Sequence, residues 1–136
     1  MKTQEPNSKI KNNTNIHSRK KVRINEELLP FELKYFYFYL NNKKLRIDIK
    51  NINERGIKIK MYISLKKIRN MKSIKIYSFF YDIVLFGEFI YKSEISDNIL
   101  YAGLKIIKRK SKAIDTLLDL LKKNNIFYKE LKWKTQ

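Results

Sequence analysis

The sequence alternates apolar and polar residues with a period of two over much of residues 30–108, and this pattern constrains the fold more than any other feature. In residues 45–50, leucine and isoleucine alternate with charged residues, and residues 57–63 repeat the pattern. Successive side chains of a β-strand point to opposite faces, so each segment predicts a strand with one buried face. A series of such segments predicts an antiparallel barrel or sandwich. We expect six strands, in residues 31–40, 45–50, 57–63, 73–79, 83–91 and 99–107.

One amphipathic helix is predicted after these strands, between Ser111 and Asn124. Its apolar residues recur at intervals of three and four, which places them in one stripe along a helix. Ser111 is the expected N-cap, because its hydroxyl can accept a hydrogen bond from the first turn. Asn124 and Asn125 are the expected end of the helix. The stripe consists of Ile114, Leu117, Leu118 and Leu121.

The chain of 136 residues is large enough for one domain with its own core. Residues 1–17 are polar and basic, and they hold too little apolar surface to offset the entropy cost of ordering. We therefore expect a disordered N-terminal arm in residues 1–17, a folded domain in residues 18–124 and a C-terminal tail in residues 125–136.

The composition excludes several kinds of site. There is no cysteine, which excludes disulfides and zinc–thiolate centres, and the single histidine, His17, excludes a histidine-rich metal site. No paired carboxylates, nucleophile constellation or glycine-rich loop is recognisable, so we expect no enzymatic activity and no cofactor. The longest apolar stretch, residues 79–86, is interrupted by Asp82 and is shorter than the ~20 residues of a membrane helix. With no secretory signal in residues 1–30, we expect a cytoplasmic protein without membrane insertion.

The net charge of +18 favours a polyanionic partner. Most of the basic residues are lysines, and the chain is also rich in asparagine and isoleucine. These three residue types share A/T-rich codons, so a biased genome is a second explanation of the charge.

Two short motifs are the candidates for a ligand site. Arg19 and Arg23 place two guanidiniums four residues apart in a polar segment that we expect to precede the first strand. In the segment 51–56, Asn51 and Asn53 are expected on the outer face of a strand, with Ile52 in the core. Gly56 suits a turn with positive φ or the close approach of a ligand. The other interpretations are a solvated basic linker for the first motif and an ordinary hairpin turn for the second.

Together the motifs, Arg-x-x-x-Arg followed by Asn-x-Asn-x-x-Gly, resemble the signature of the PilZ domain family, in which a serine is usual at the position of Asn53. Segments with glycines resemble two further strands of that family, at residues 86–91 and 101–106. The resemblance covers residues 18–123 and implies a six-stranded antiparallel PilZ-type β-barrel with a C-terminal α-helix.

The resemblance also implies a function. PilZ domains are bacterial receptors for cyclic di-GMP that signal to a protein effector. Arg19 and Arg23 would then clamp phosphate and guanine, Asn51 and Asn53 would hold a guanine, and Gly56 would shape the turn. A guanidinium is suited to this role because it can fork onto a phosphate or onto guanine O6 and N7.

Two other functions are compatible with the sequence. Asn53 in place of serine favours an adaptor that has lost nucleotide binding and acts through protein contacts. The charge of +18 and the aromatic run in residues 35–39 favour a basic nucleic-acid-binding barrel. For that run we prefer a plain strand, with Phe36 and Phe38 inward and the tyrosines outward.

Overall fold

A computed structural model describes residues 23–53 and 56–124. The secondary structure is mainly β, with a short helix α1 between two strands and a longer helix α2 at the end. Short 3-10 turns follow the first strand and the last one. The elements are β1 (Arg23–Asn25), β2 (Tyr35–Leu40), β3 (Lys43–Asn53), β4 (Gly56–Met61), α1 (Leu65–Ile68), β5 (Ser73–Ser78), β6 (Val84–Ser96), β7 (Ile99–Ile106) and α2 (Ile114–Lys123).

The strands form a closed barrel. Neighbouring strands follow the order β3, β2, β5, β6, β7 and β4, and β4 pairs with β3 to close the ring. All of these pairings are antiparallel, and β1 adds one strand outside the ring by pairing with β3. The predicted six-stranded antiparallel barrel with a C-terminal helix is therefore confirmed.

The core follows from the alternation in the sequence. Phe36 and Phe38 of β2 are buried, whereas the tyrosines between and beside them lie toward the outside, as predicted. The inner residues of the other strands are almost all isoleucine, leucine or methionine, which pack well on a pleated surface. The core side chains with the least exposure include Ile47, Ile59, Met61, Ile76, Leu85, Leu100 and Ile106.

A β-bulge divides β3 into two halves. Its first half pairs with β2, and the register with β4 shifts between Ile49 and Asn51. A bulge inserts one extra residue, so the side chains after it change faces. Ile49 and Ile52 are consequently both buried, although they are three residues apart, and Asn51 and Asn53 lie on the outer face, as predicted.

Helix α2 packs its stripe against the core through Leu117 and Leu121, which are buried. The prediction that Ser111 caps this helix is wrong: Ala113 occupies the N-cap position with φ 59°. Ser111 Oγ instead accepts a hydrogen bond from the Phe86 N–H at 3.0 Å. Its O–H donates to the carbonyl of Ile107 at 2.9 Å, and α2 begins only at Ile114, so Ser111 lies before the capping position. The end of α2 is as predicted, because the Asn124 N–H donates to the carbonyl of Leu121.

Two other predictions differ from the structure in detail. Residues 31–33 form a 3-10 turn with Leu33 buried, because the fixed φ of Pro30 begins a turn there instead of a strand. Strand β6 continues to Ser96, beyond the predicted end at residue 91. The expected arm, residues 1–17, and the tail, residues 125–136, lie outside the described residues.

None of the helices in the described part of the chain has the length and apolar character needed to cross a membrane.

Candidate functional site

The two motifs meet at one corner of the barrel. Arg23 lies directly opposite Asn53 in the pairing of β1 with β3, and Asn53 lies opposite Gly56 in the pairing of β3 with β4. The expectation that both arginines precede the first strand is wrong for Arg23, because it is the first residue of β1. Arg19 lies outside the described residues. Four of the five predicted site residues, Arg23, Asn51, Asn53 and Gly56, are thus on adjacent strands.

The two asparagines of this corner are joined by their side chains. Asn53 Nδ2 donates a hydrogen bond to Asn51 Oδ1 at 3.3 Å, and Asn53 Oδ1 accepts one from the Gly56 N–H at 3.1 Å. Both side chains are half-buried. A serine is one atom shorter and has no second polar group to reach Asn51 while its oxygen faces the turn. The amide at position 53 therefore has a local role in holding the β3–β4 turn and orienting Asn51.

Gly56 has a packing reason for being glycine. A Cβ at this position would lie 1.8 Å from the carbonyl oxygen of Leu104 in β7. No glycine in the described residues has a positive φ, so that part of the sequence-based expectation is wrong. The glycine allows the backbones of β4 and β7 to approach closely, and this contact positions the turn beside Asn53.

Two lysines that the motifs did not reveal also lie at this corner. Lys58 is opposite Asn51, and Lys105 is opposite Gly56. Lys58 Nζ lies 4.6 Å from the ring centroid of Tyr101 in β7. The alternation of isoleucine and lysine in residues 57–60 predicts that Lys58 faces outward, but only the strand pairing places it next to Asn51.

A salt bridge fixes the chain next to β1. Lys50 Nζ, at the bulge of β3, pairs with the carboxylate of Glu26, in the turn that follows β1. The hydrogen bond that Lys50 donates to Glu26 raises the pKa of Lys50 above its ordinary value. This ion pair holds β1, and hence the backbone of Arg23, against β3.

A second notable region is the outer surface of β2 and β5. We call the side chains of Tyr35, Tyr37, Tyr39, Tyr77 and Phe79 the aromatic face. The Tyr37 and Tyr77 rings are stacked, with centroids 5.4 Å apart and an angle of 18° between their planes. Phe79 contacts Tyr37 at 4.9 Å, and Tyr39 meets both Tyr37 and Tyr77 edge-on at 5.6 Å. Phe31 and Phe80 extend this group past Tyr35.

Cations lie on the rings of the aromatic face and beside it. Lys44 Nζ is 4.2 Å from the Tyr37 centroid and 5.3 Å from that of Phe79. Arg46 Cζ lies 4.8 Å from the ring centroid of Tyr35. The same guanidinium donates a hydrogen bond from Nε to Asp48 Oδ1 at 2.6 Å. A cation over an aromatic ring is attracted by the negative charge of the ring face.

Among residues 23–53 and 56–124, Asp48 and Ser78 are the buried polar residues, and Asp48 has partners on both sides. Arg46 donates to both of its carboxylate oxygens, and the hydroxyl of Tyr62 donates to Oδ2. Burial and this hydrogen bond to Asp48 raise the pKa of Tyr62 to about 12. The carboxylate is therefore satisfied within the fold.

A groove of about 930 Å³ lies between α1 and β6, away from both regions. Lys92 lines it and donates a hydrogen bond to the carbonyl of Arg69 at 3.1 Å. Burial lowers the pKa of Lys92. Arg23, Asn51, Asn53 and Gly56, the predicted site residues that the structure describes, do not line this groove. The described residues contain no cluster of three or more histidine, cysteine, aspartate or glutamate side chains that could hold a metal ion.

Comparison with known proteins returns no match: no family model, no curated protein and no solved structure is significantly similar to this chain.

Proposed function

We propose that this chain is a PilZ-like receptor that binds cyclic di-GMP at the corner formed by β1, β3 and β4 and signals to a protein partner. The observation that carries the proposal is the register of three adjacent strands, which places Arg23 opposite Asn53 and Asn53 opposite Gly56. The two motifs are far apart in the sequence. A ligand that contacts both motifs can bind only if the fold brings them close together, as this register does for Arg23, Asn53 and Gly56.

The chemistry of this corner suits a cyclic dinucleotide. Arg23 begins β1 at this corner, and its guanidinium can bind a phosphate or the O6 and N7 atoms of guanine. In this proposal Arg19, four residues earlier in the sequence, supplies the second guanidinium. The amide of Asn51, oriented by Asn53, can donate to a guanine oxygen. Lys58 and Lys105 add positive charge next to Asn51 and Gly56, where it would attract the ligand's phosphates.

Calorimetric titration with cyclic di-GMP tests this proposal. Arg19→Ala and Arg23→Ala should each weaken binding about tenfold or more, because each loses a charge-assisted contact. Arg109→Ala is the matched control, since it removes an exposed arginine in the turn before α2 and should leave the affinity unchanged.

Two results would contradict the proposal that the chain is a cyclic di-GMP receptor. One is an equal loss of affinity in Arg23→Ala and Arg109→Ala, which would mean that overall charge attracts the nucleotide. The other is a parent protein that gives no binding heat, which would favour the adaptor that acts through protein contacts alone.

A further inference from the structure

We infer that the aromatic face on the outside of β2 and β5 is a binding surface for single-stranded nucleic acid. Such surfaces combine exposed rings, on which bases stack, with cations that contact the phosphates. The inference does not rest on the cyclic di-GMP proposal, because the aromatic rings that carry it lie on and next to β2 and β5, outside the corner formed by β1, β3 and β4.

The rings of this face are accessible. Tyr39 is 53% exposed and Phe79 is 46% exposed, and both border the stacked pair of Tyr37 and Tyr77. Rings that lie on a folded barrel and contact one another are already ordered, so little entropy is lost when a base stacks on them. Neither ring belongs to the buried core of the barrel.

The charge of the surrounding strands fits a polyanion. The adjacent strands β5, β2, β3 and β4 contain a single acidic residue, Asp48, whose charge is paired with Arg46. Lys44 lies over Tyr37 and Phe79, where an ammonium can contact the phosphate of a base stacked beside it. Other cations of these strands are Lys43, Lys58, Lys60 and Lys75.

A single strand fits this surface better than a duplex does. Stacking needs an open base face, and a duplex hides its bases in the interior of the helix. An acidic peptide would use the lysines but would leave the exposed rings without a flat partner. A single strand contacts both features, because its bases can stack on the rings while its phosphates contact the lysines.

The experiment measures fluorescence anisotropy of labelled oligothymidylate and oligouridylate, about ten nucleotides long to match a site of this kind, with the full chain. A duplex of equal length and polyglutamate serve as competitors. The key variants are Tyr39→Leu, which removes the ring, and Tyr39→Phe, which keeps it. Ile95→Ser is the control, because Ile95 is an exposed apolar residue near the end of β6.

Tyr39→Leu and Phe79→Leu should each weaken single-strand binding about fivefold or more, the usual effect of losing one stacked base. Tyr39→Phe and Ile95→Ser should bind like the parent. The affinity of all variants should fall steeply between 50 and 200 mM salt, by about 10³ if six phosphates are contacted. Preference for one of the two oligonucleotides would distinguish RNA from DNA as the source of the strand.

The inference is overturned if Tyr39→Leu and Tyr39→Phe bind equally well, or if duplex or polyglutamate competes as effectively as the single strand. Either result would show attraction by net charge without stacking. Circular dichroism melting of each variant separates loss of binding from loss of folding, and cyclic di-GMP titration of Tyr39→Leu should remain that of the parent.

Discussion

Replacing Gly56 with alanine should weaken the barrel at the point where β4 meets β7. The added Cβ would lie 1.8 Å from the carbonyl oxygen of Leu104, whereas ordinary contact begins near 3.4 Å. The oxygen belongs to the backbone and the Cβ is bonded directly to it, so no side-chain rotation can relieve the clash. The two strands must move apart by more than about 1 Å, which is enough to break a hydrogen bond of normal length.

The cost can be estimated from its parts. Overpacking in a rigid environment costs about 1–3 kcal/mol, and a backbone group that loses its partner adds about 1–3 kcal/mol. Alanine also lowers the conformational entropy of the unfolded chain, which stabilises the folded state by about 0.4–1 kcal/mol and offsets part of this cost. We therefore expect Gly56→Ala to lower the free energy of unfolding by about 3 kcal/mol.

Gly103→Ala is the matched control. Its Cβ would meet the ring of Tyr91 at 2.4 Å, but that ring is the end of a side chain that is 44% exposed and can rotate away. This change should cost about 1 kcal/mol or less. Urea unfolding, followed by circular dichroism, gives both values from the transition midpoints if the slope is unchanged. A loss in Gly56→Ala no greater than that in Gly103→Ala would refute the packing explanation of Gly56.

The network around Asp48 gives two further predictions. Asp48→Asn should lower the free energy of unfolding by about 1–3 kcal/mol, because Arg46 and Tyr62 lose a charged acceptor. The control is Asp82→Asn, which breaks the exposed pair with Lys112 and should lower the free energy of unfolding by less than about 1 kcal/mol. Equal effects in urea unfolding would contradict this. Tyr62 has a pKa raised from 10.0 to about 12, so its neutral form stabilises the fold fully below pH 10 and this stabilisation is lost as the pH rises toward 12. An ultraviolet titration should find a late-ionising tyrosine that ionises at lower pH in Asp48→Asn, and an unchanged curve would contradict the assignment.

Much of the barrel could be predicted because the alternation acts locally. Each strand has an apolar face of isoleucine, leucine or phenylalanine, and burying that face decides which side points inward. The bulge was not among the predictions. The buried residues Ile47 and Ile49 have odd numbers and the buried Ile52 has an even one, and the extra residue at the bulge accounts for this change. The same change of parity turns Asn51 and Asn53 outward.

Features that depend on distant partners could not be predicted. β1 is a strand of three residues with no alternation of its own, and it forms because β3 offers an open edge beyond its pairing with β2. Ser111 resembles an N-cap by composition, but its hydroxyl is used by Phe86, which is far away in the sequence. Lys105 likewise reaches Gly56 only through the pairing of β4 with β7, whereas Lys58 reaches Asn51 through the pairing of β3 with β4.

The two proposed sites share one strand, and this arrangement has a physical consequence. Before the bulge, β3 presents Arg46 beside the aromatic face; after it, the strand presents Asn51 and Asn53 beside Arg23. A single long strand therefore carries both surfaces, and the bulge at Lys50 separates them. Because Lys50 is tied to Glu26 next to β1, a ligand that moves β1 would act on this ion pair at the junction. Loss of the pair would remove the side-chain link between the segment after β1 and the middle of β3.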